Sequence, residues 1–355
     1  MNAKSSRLIK LLALEAAVDR LRSLKVHDDT LNRTRFCGAL LVILIVLLFL
    51  SGIFMAFYYS PVPGAAYDSV DFALFNVPFG GIVKGVHHYA WNLLLIVLGI
   101  HLFRAFIVGA YKAPRQMVWI SGVLVMLFVP LFIITGDLLP WDQKGYWSTQ
   151  VRLSIISSIP LVGDLLVRLL QGGSLTGVVA LTRFYILHIL LLPGLLIFLI
   201  VVHFHFIDHY GITEPLTHGT DQRVKTSFFP NILNRWLFLF LIVSVILGLI
   251  GWYWTAPLGD PADPTDSFYV PRPEWWVLFL NQLVTIFKGN YMIVGSMIIP
   301  GGLIGLLFAL PVIDRSPGRH PIGRWKLMLA AAVITVAMIG LSIMGYVDHF
   351  VGAAY

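Results

Sequence analysis

Four of the eleven histidines stand in pairs whose spacing can do chemistry. His87 and His101 are 14 residues apart, and His188 and His203 are 15 apart. On an α-helix, 14 residues return to within about 40° of the same face and rise about 21 Å. Each pair therefore occupies one broad helix face at two depths. Glycines repeat the period: Gly38 and Gly52 are 14 apart, and so are Gly122 and Gly136. Two imidazoles facing each other at one depth offer two axial ligands to iron in a porphyrin. Glycine lets a bulky planar group approach the backbone. The layout predicts two haems about 20 Å apart along the axes of a four-helix bundle. A single membrane histidine is more often a satisfied polar side chain, and a single glycine more often a packing contact. Eight such residues in register on four helices are hard to produce by chance, because polar groups in lipid are rare and costly. His88 is read as a neighbour of the ligand, since the 14-residue step to His101 belongs to His87.

The elements that must carry these residues are membrane spans. The chain has 355 residues, 58% hydrophobic and 12% charged, with a mean hydropathy of +0.83. Soluble proteins carry roughly twice that charged fraction, so a disordered chain, a nucleic-acid-binding domain and an ordinary soluble enzyme are excluded. Seven stretches lack Asp, Glu, Lys and Arg: Phe36–Tyr59, Gly85–Phe103, Gln116–Gly136, Phe184–Ile207, Trp236–Gly259, Gly289–Ile313 and Leu327–Val347. Each is long enough to cross a bilayer core of about 30 Å as a helix. Nothing alternates with a period of two over ten residues, which excludes a β-barrel. The fold class is an all-α membrane protein. It comprises a four-helix dihaem bundle, a three-helix C-terminal part and an N-terminal surface helix. That last element rests on Leu8, Leu11, Leu12, Ala16 and Val18 set among Lys10, Arg20 and Arg22. The pattern is amphipathic and suits contact with membrane lipids. The first 35 residues hold eight basic residues and no apolar region of the kind a signal peptide needs.

The net charge of +7 is explained by topology. With the N-terminus cytoplasmic, 18 of the 25 Lys and Arg fall inside and 7 outside, as the positive-inside rule requires. No nucleic-acid partner is needed. The expected location is a bacterial inner (cytoplasmic) membrane. Three connections are long: Pro140–Thr182, Asp208–Arg235 and Asp260–Lys288. The polar second one sets a boundary near residue 220, giving segments 1–35, 36–220 and 221–355. The two external ones are candidate functional loops. Cys37 is the sole cysteine. It admits no intrachain disulfide, cysteine zinc site, iron–sulfur cluster or Cys-x-x-Cys-His haem motif.

Further motifs now carry a family resemblance. Gly85-Val-His-His-Tyr, His101-Leu-Phe-Arg104, Leu139-Pro-Trp-Asp-Gln-Lys-Gly-Tyr-Trp147 and Thr182-Arg-Phe-Tyr-Ile-Leu-His188 resemble cytochrome b of the quinol–cytochrome c oxidoreductases, the cytochrome bc and bf complexes. The 15-residue step and the three-helix C-terminal part resemble the bf branch, with its four-helix cytochrome and its subunit IV fused. The resemblance runs from about Arg33 to Asp348 and is most specific in the second to fourth spans.

The resemblance implies His87 and His188 on an outer haem b and His101 and His203 on an inner one. It implies Lys84 and Arg183 near the outer propionates and Arg104 near the inner ones; each also suits an interfacial anchor, and for Lys84 that reading weighs about the same. Pro273-Glu274-Trp275-Trp276 resembles the quinol-oxidation motif Pro-Glu-Trp-Tyr. Glu274 would then accept a proton from quinol, and Trp276 replaces the tyrosine. Asp137 stands where tyrosine or serine is common, as a second carboxylate or a helix cap. In the bf branch a cysteine near the start of the first span holds a third haem covalently. Cys37 is one residue out of that register. An arginine of that family beyond the last haem ligand is Asp208 here. His205 and His209 either line an inner quinone site with Asp208 or are interfacial.

The implied activity is quinol oxidation outside, transfer through two haems, and quinone reduction inside, as in a Q cycle. Separate Rieske iron–sulfur and cytochrome c-type subunits are implied partners, as is a homodimer. One alternative is a haem-bearing anchor of a quinone-linked dehydrogenase or hydrogenase, against which the Glu274 segment speaks. A retinal protein would want a lysine midway along the seventh span, whereas Lys326 sits at its end. A haem-free transporter predicts no polar ladder.

Overall fold

The computed structural model describes residues 36–173, 175–211, 213, 225–266 and 268–351, with 19, 23 and 25–27. Seven helices among them are long and apolar enough to cross a membrane, and every predicted span is matched. These are α1 (Cys37–Ala56), α3 (Gly80–Ile107), α4 (Gln116–Asp137), α7 (Val178–Tyr210), α8 (Pro230–Tyr253), α10 (Val294–Ile313) and α11 (Pro321–His349). Four shorter helices fill the connections: α2 (Pro63–Phe75), α5 (Gln143–Ser157), α6 (Gly163–Gln171) and α9 (Leu278–Ile286).

The all-α expectation is met, with one short strand pair beside the helices. Lys25–His27 (β1) and Lys225–Ser227 (β2) pair antiparallel, with Val26 opposite Thr226. Both central residues are β-branched and suit a pleated strand. The amphipathic stretch from Leu8 to Arg22 lies almost wholly outside the described residues.

The chain forms two compact, discontinuous units. The first joins residues 1–54, 81–104 and 217–256. In it α3 meets α8 backbone to backbone. A Cβ placed on Gly85 would lie 2.5 Å from Cα of Gly251, so only glycine permits the approach. The Lys84 ammonium donates to the carbonyl of Ala256 at 3.3 Å.

The second unit joins residues 55–80, 105–216 and 257–355. In it Arg324, only 3% exposed, donates to the carbonyls of Phe106, Ile107 and Arg319 and to the Tyr111 hydroxyl. Tyr111 in turn donates to Asp314, and Lys112 pairs with Asp314 at 3.1 Å. A buried guanidinium is tolerated because every side of it meets an acceptor. Burial alone would raise the Asp314 carboxyl, but hydrogen bonds from Ser316, Tyr111 and Lys112 hold it down at about 2. The Trp119 indole ties α4 to α10 through the carbonyl of Leu307 at 2.7 Å.

One irregularity in α7 bears directly on the histidines. Leu187–Leu191 is a π-turn, and the Leu192 amide bonds back to Leu187 rather than to His188. Pro193 follows immediately. It lacks an amide proton, and its ring crowds the carbonyl four residues back, so the backbone opens by one residue. The π-turn absorbs the extra residue between His188 and His203. Their 15-residue spacing thus matches, in geometry, the 14-residue spacing of the regular helix α3.

Candidate functional site

Three of the four ladder glycines stand beside an imidazole. In the first unit, a Cβ on Gly52 would come within 3.3 Å of the His87 ring. In the second, a Cβ on Gly136 would lie 2.7 Å from His188, and one on Gly122 would lie 3.1 Å from His203. Any larger residue would displace these rings. Gly38 differs, with nothing within 4 Å of the corresponding position.

The residue before each of those three glycines is a hydroxyl that holds the ring. Ser51 lies 2.9 Å from Nδ1 of His87, Ser121 lies 2.9 Å from Nδ1 of His203, and Thr135 lies 3.1 Å from Nδ1 of His188. Each hydroxyl also donates within its own helix. Ser51 bonds the carbonyl of Leu47 at 2.7 Å, Ser121 that of Val118 at 3.1 Å, and Thr135 that of Leu131 at 2.8 Å. A hydroxyl has one proton to give. With that proton on a carbonyl, its oxygen accepts from Nδ1–H. This tautomer puts the imidazole lone pair on Nε2, as an iron ligand requires. These residues therefore fit b-type haem. Ser51, Ser121 and Thr135 were missed in the sequence, although each precedes a ladder glycine. Cys37 precedes Gly38 in the same way and is buried.

The cationic residues divide. Lys84 reaches Ala256, as above. Arg183 donates to the carbonyls of Arg168 at 3.2 Å and Leu169 at 2.5 Å, where it satisfies the C-terminal end of α6. Arg104 lies three residues beyond His101 in the last turn of α3. At the C-terminal end of α7, His205, Asp208 and His209 are exposed, and the rings of His205 and His209 stack 6.4 Å apart.

A second site lies wholly within the second unit. The segment after α4 rests on a core of Ala66, Leu138, Trp141, Tyr146, Leu181 and Phe184. Asp142 caps α5 by accepting from the Gly145 amide at 2.8 Å, and its other oxygen accepts from Gly259 at 3.1 Å. The Gln143 amide donates to the carbonyl of Asp260 at 2.8 Å, and the Ala262 amide to that of Trp141 at 3.0 Å. These bonds lock the two loops together. Between them opens a cavity of about 730 Å³ lined by Lys144, Tyr269, Val270, Arg272, Pro273, Glu274 and Trp275.

Glu274 forms an ion pair with Lys144 in this cavity. Asp137 pairs with Arg152 at 2.5 Å, so its carboxylate is engaged by a cation one helix on. Burial alone would lower the Lys144 ammonium, but the Glu274 carboxylate, with Asp137 and Asp142 beyond it, raises it. Glu274 and Trp275 begin a single 3₁₀ turn, Trp275–Val277, that leads into α9. Among the described residues, the buried indole N–H of Trp276 has no hydrogen-bond partner.

Membrane-spanning helices that hold histidine rings by one nitrogen, each beside a glycine, define a haem-carrying membrane protein. Comparison with known proteins specifies the kind. The family model for cytochrome b (N-terminal)/b6/petB matches residues 92–261. Cytochrome b6 of Prochlorococcus marinus (strain MIT 9303) is 38% identical over 205 residues, 58% of this chain and 94% of that protein. Cytochrome b6 of Synechococcus sp. (strain CC9605) is 37% identical over 179 residues, 50% of this chain and 82% of that one. A solved chain of a hyperthermophilic respiratory Complex III superposes with a TM-score of 0.80 over 95% of this chain and 91% of that one, at 24% identity, and so shares the fold. The chain belongs to the cytochrome b/b6 family. It is a transmembrane, haem-binding protein of electron transport.

Proposed function

We propose that this chain is the dihaem cytochrome b subunit of a quinol:cytochrome c (or similar acceptor) oxidoreductase. His87 and His188 hold the outer haem, and His101 and His203 hold the inner one. Gly38, Gly52, Gly122 and Gly136 leave room for them, and Ser51, Ser121 and Thr135 fix three of the four rings. Lys84 and Arg104 stand near the propionates, as does Arg183 once its helix-capping bonds are shared. When bound, the haems supply one-electron carriers between an outer and an inner site.

At the outer site quinol docks in the cavity beside Glu274, against Pro273, Trp275, Trp276 and the Pro140–Trp147 segment. The Glu274 carboxylate takes the proton from a quinol hydroxyl. Trp276, which lacks the hydroxyl of the more usual tyrosine, offers its buried N–H to a quinol oxygen. Burying a lone donor costs free energy, and a ligand oxygen removes that cost. At the inner site quinone binds around His205 and Asp208 and takes up protons there. Proton release outside and uptake inside make a Q cycle. The partners are a Rieske iron–sulfur protein and a cytochrome c-type subunit, in a homodimer. The N-terminus is cytoplasmic, in a bacterial inner membrane. The division is into a surface segment to residue 35, a haem domain to 220 and a subunit IV-like part beyond.

The cavity formed where the Pro-Glu-Trp-Trp segment meets the Pro140–Trp147 segment carries this reading over that of a dehydrogenase anchor. Cys37 shares the register of Ser51, Ser121 and Thr135, one residue before its glycine. That register supports a thiol facing His101 rather than a tether for a third haem. In the assembled complex, Glu274→Gln should slow quinol oxidation at least tenfold, within the range of general-base contributions, with both haems retained. Unchanged turnover would remove quinol oxidation at this site.

A further inference from the structure

The reading of Glu274 as proton acceptor leaves Lys144 unexplained. Lys144 and Arg272 both line the cavity, and it is Lys144 that pairs with the Glu274 carboxylate. Lys144 stands in the first turn of α5, and Glu274 lies 130 residues further on. Asp142 and the loop bonds to Asp260 and Ala262 fix the N-terminus of α5. The ammonium therefore comes from a rigid element, whereas the carboxylate comes from the loop. The other charged and titratable groups around the pair are Asp137, Asp142, Asp260, Arg152, Arg272 and Tyr269. Asp137 is engaged by Arg152, and Asp142 by two amides, so Glu274 is the carboxylate that holds Lys144 by direct contact among the described residues.

We propose that Lys144 is a positioning residue for quinol oxidation: it presents the ionised Glu274 carboxylate to quinol and lets it go once that carboxylate is protonated. The step is a single proton transfer. A quinol O–H bond breaks, its electron pair stays on the quinol oxygen, and an O–H bond forms on Glu274. The neutral acid no longer attracts the ammonium, which keeps the fields of Asp137 and Asp142. The carboxyl group is then released from the cavity wall with its proton.

The test is quinol-to-acceptor kcat and KM of the whole complex, with a short-chain quinol, for Lys144→Met, Lys144→Arg, Glu274→Gln and the double variant. Lys144→Met should lose about tenfold in kcat with KM within about twofold, as expected when a reacting group is displaced but substrate binding is kept, and Lys144→Arg should restore it. In the Glu274→Gln background, Lys144→Met should cost nothing further, because it acts through that carboxylate. An unaltered kcat in Lys144→Met, or an equal further loss when it is added to Glu274→Gln, overturns the proposal. Should Lys144→Met not assemble, as judged by its haem content, Lys144→Gln carries the same expectation and the same refutation. Glu274→Gln separates the layers. Full turnover in that variant removes the underlying reading, whereas an inactive Glu274→Gln beside an unaltered Lys144→Met kcat removes only the role of Lys144.

Discussion

The hydroxyl of Thr135 lies 3.1 Å from Nδ1 of His188, one residue before the glycine that makes room for the same ring. A positioning group and a clearance thus come from adjacent residues of α4. A metal-ligating imidazole becomes more basic when its second nitrogen donates a hydrogen bond. Thr135→Val should remove that bond and favour the reduced haem. One midpoint potential should rise by about 20–60 mV, the one-electron equivalent of a net hydrogen bond of about 0.5–1.5 kcal/mol. A spectroelectrochemical titration reads this directly, and the other haem serves as internal control.

Gly136→Val tests the clearance. Its side chain would begin 2.7 Å from the His188 ring, far inside van der Waals contact. The variant should keep one haem and lose the other, with the α-band of the reduced spectrum falling to about half. Gly38→Ala is the contrast, since that position is open, and should keep both.

The π-turn makes a counterintuitive prediction. Deleting Ile189 removes one residue from Leu187–Leu191 and permits ordinary α-helical bonding. The histidines would then stand 14 residues apart, as in α3, and both should still bind haem. Inserting one alanine at the same place should turn His203 by about 100° relative to His188 and abolish one haem signal.

Cys37→Ser should leave both non-covalent haems bound, and the denatured wild-type chain should carry no haem on a stained gel. Haem that stays with wild type and leaves with Cys37→Ser would restore the covalent third haem.

In the Arg324 cluster the sign of the pH effect is fixed by Asp314. Its carboxyl is held at about 2, below the ordinary unfolded value of about 3.9. The stabilisation is therefore present above about pH 4 and is lost as pH falls toward 2. Acid unfolding of the purified protein should begin within that window, and Asp314→Asn should flatten it. Arg324→Ala should lower stability at neutral pH by about 3–5 kcal/mol, because Asp314 would remain buried with less compensation.

The spans could be read from residues because charge exclusion over about 20 positions is a long, cumulative signal. The His and Gly ladders could be read because a spacing of 14 or 15 residues recurs in four stretches. The hydroxyls were overlooked for a physical reason. Serine and threonine in apolar helices usually bond their own backbone, and Ser51, Ser121 and Thr135 do so while also holding a ring. The π-turn left only Pro193 as a sign, and a proline inside a span more often marks a kink. Glu274 was found through its motif. Its pairing with Lys144 joins residues 130 apart, and no local pattern encodes that. Arg183 was read for its charge, yet the local need of the α6 carbonyls claims its guanidinium.

Haem quantification on the purified chain, by a reduced-minus-oxidised spectrum against protein mass, tests the two-site assignment most directly. Two b haems per chain are predicted, falling to one in His188→Ala and to one in His101→Ala, with different midpoint potentials remaining in the two variants. One haem or none in the wild type, or two retained in either variant, would contradict it.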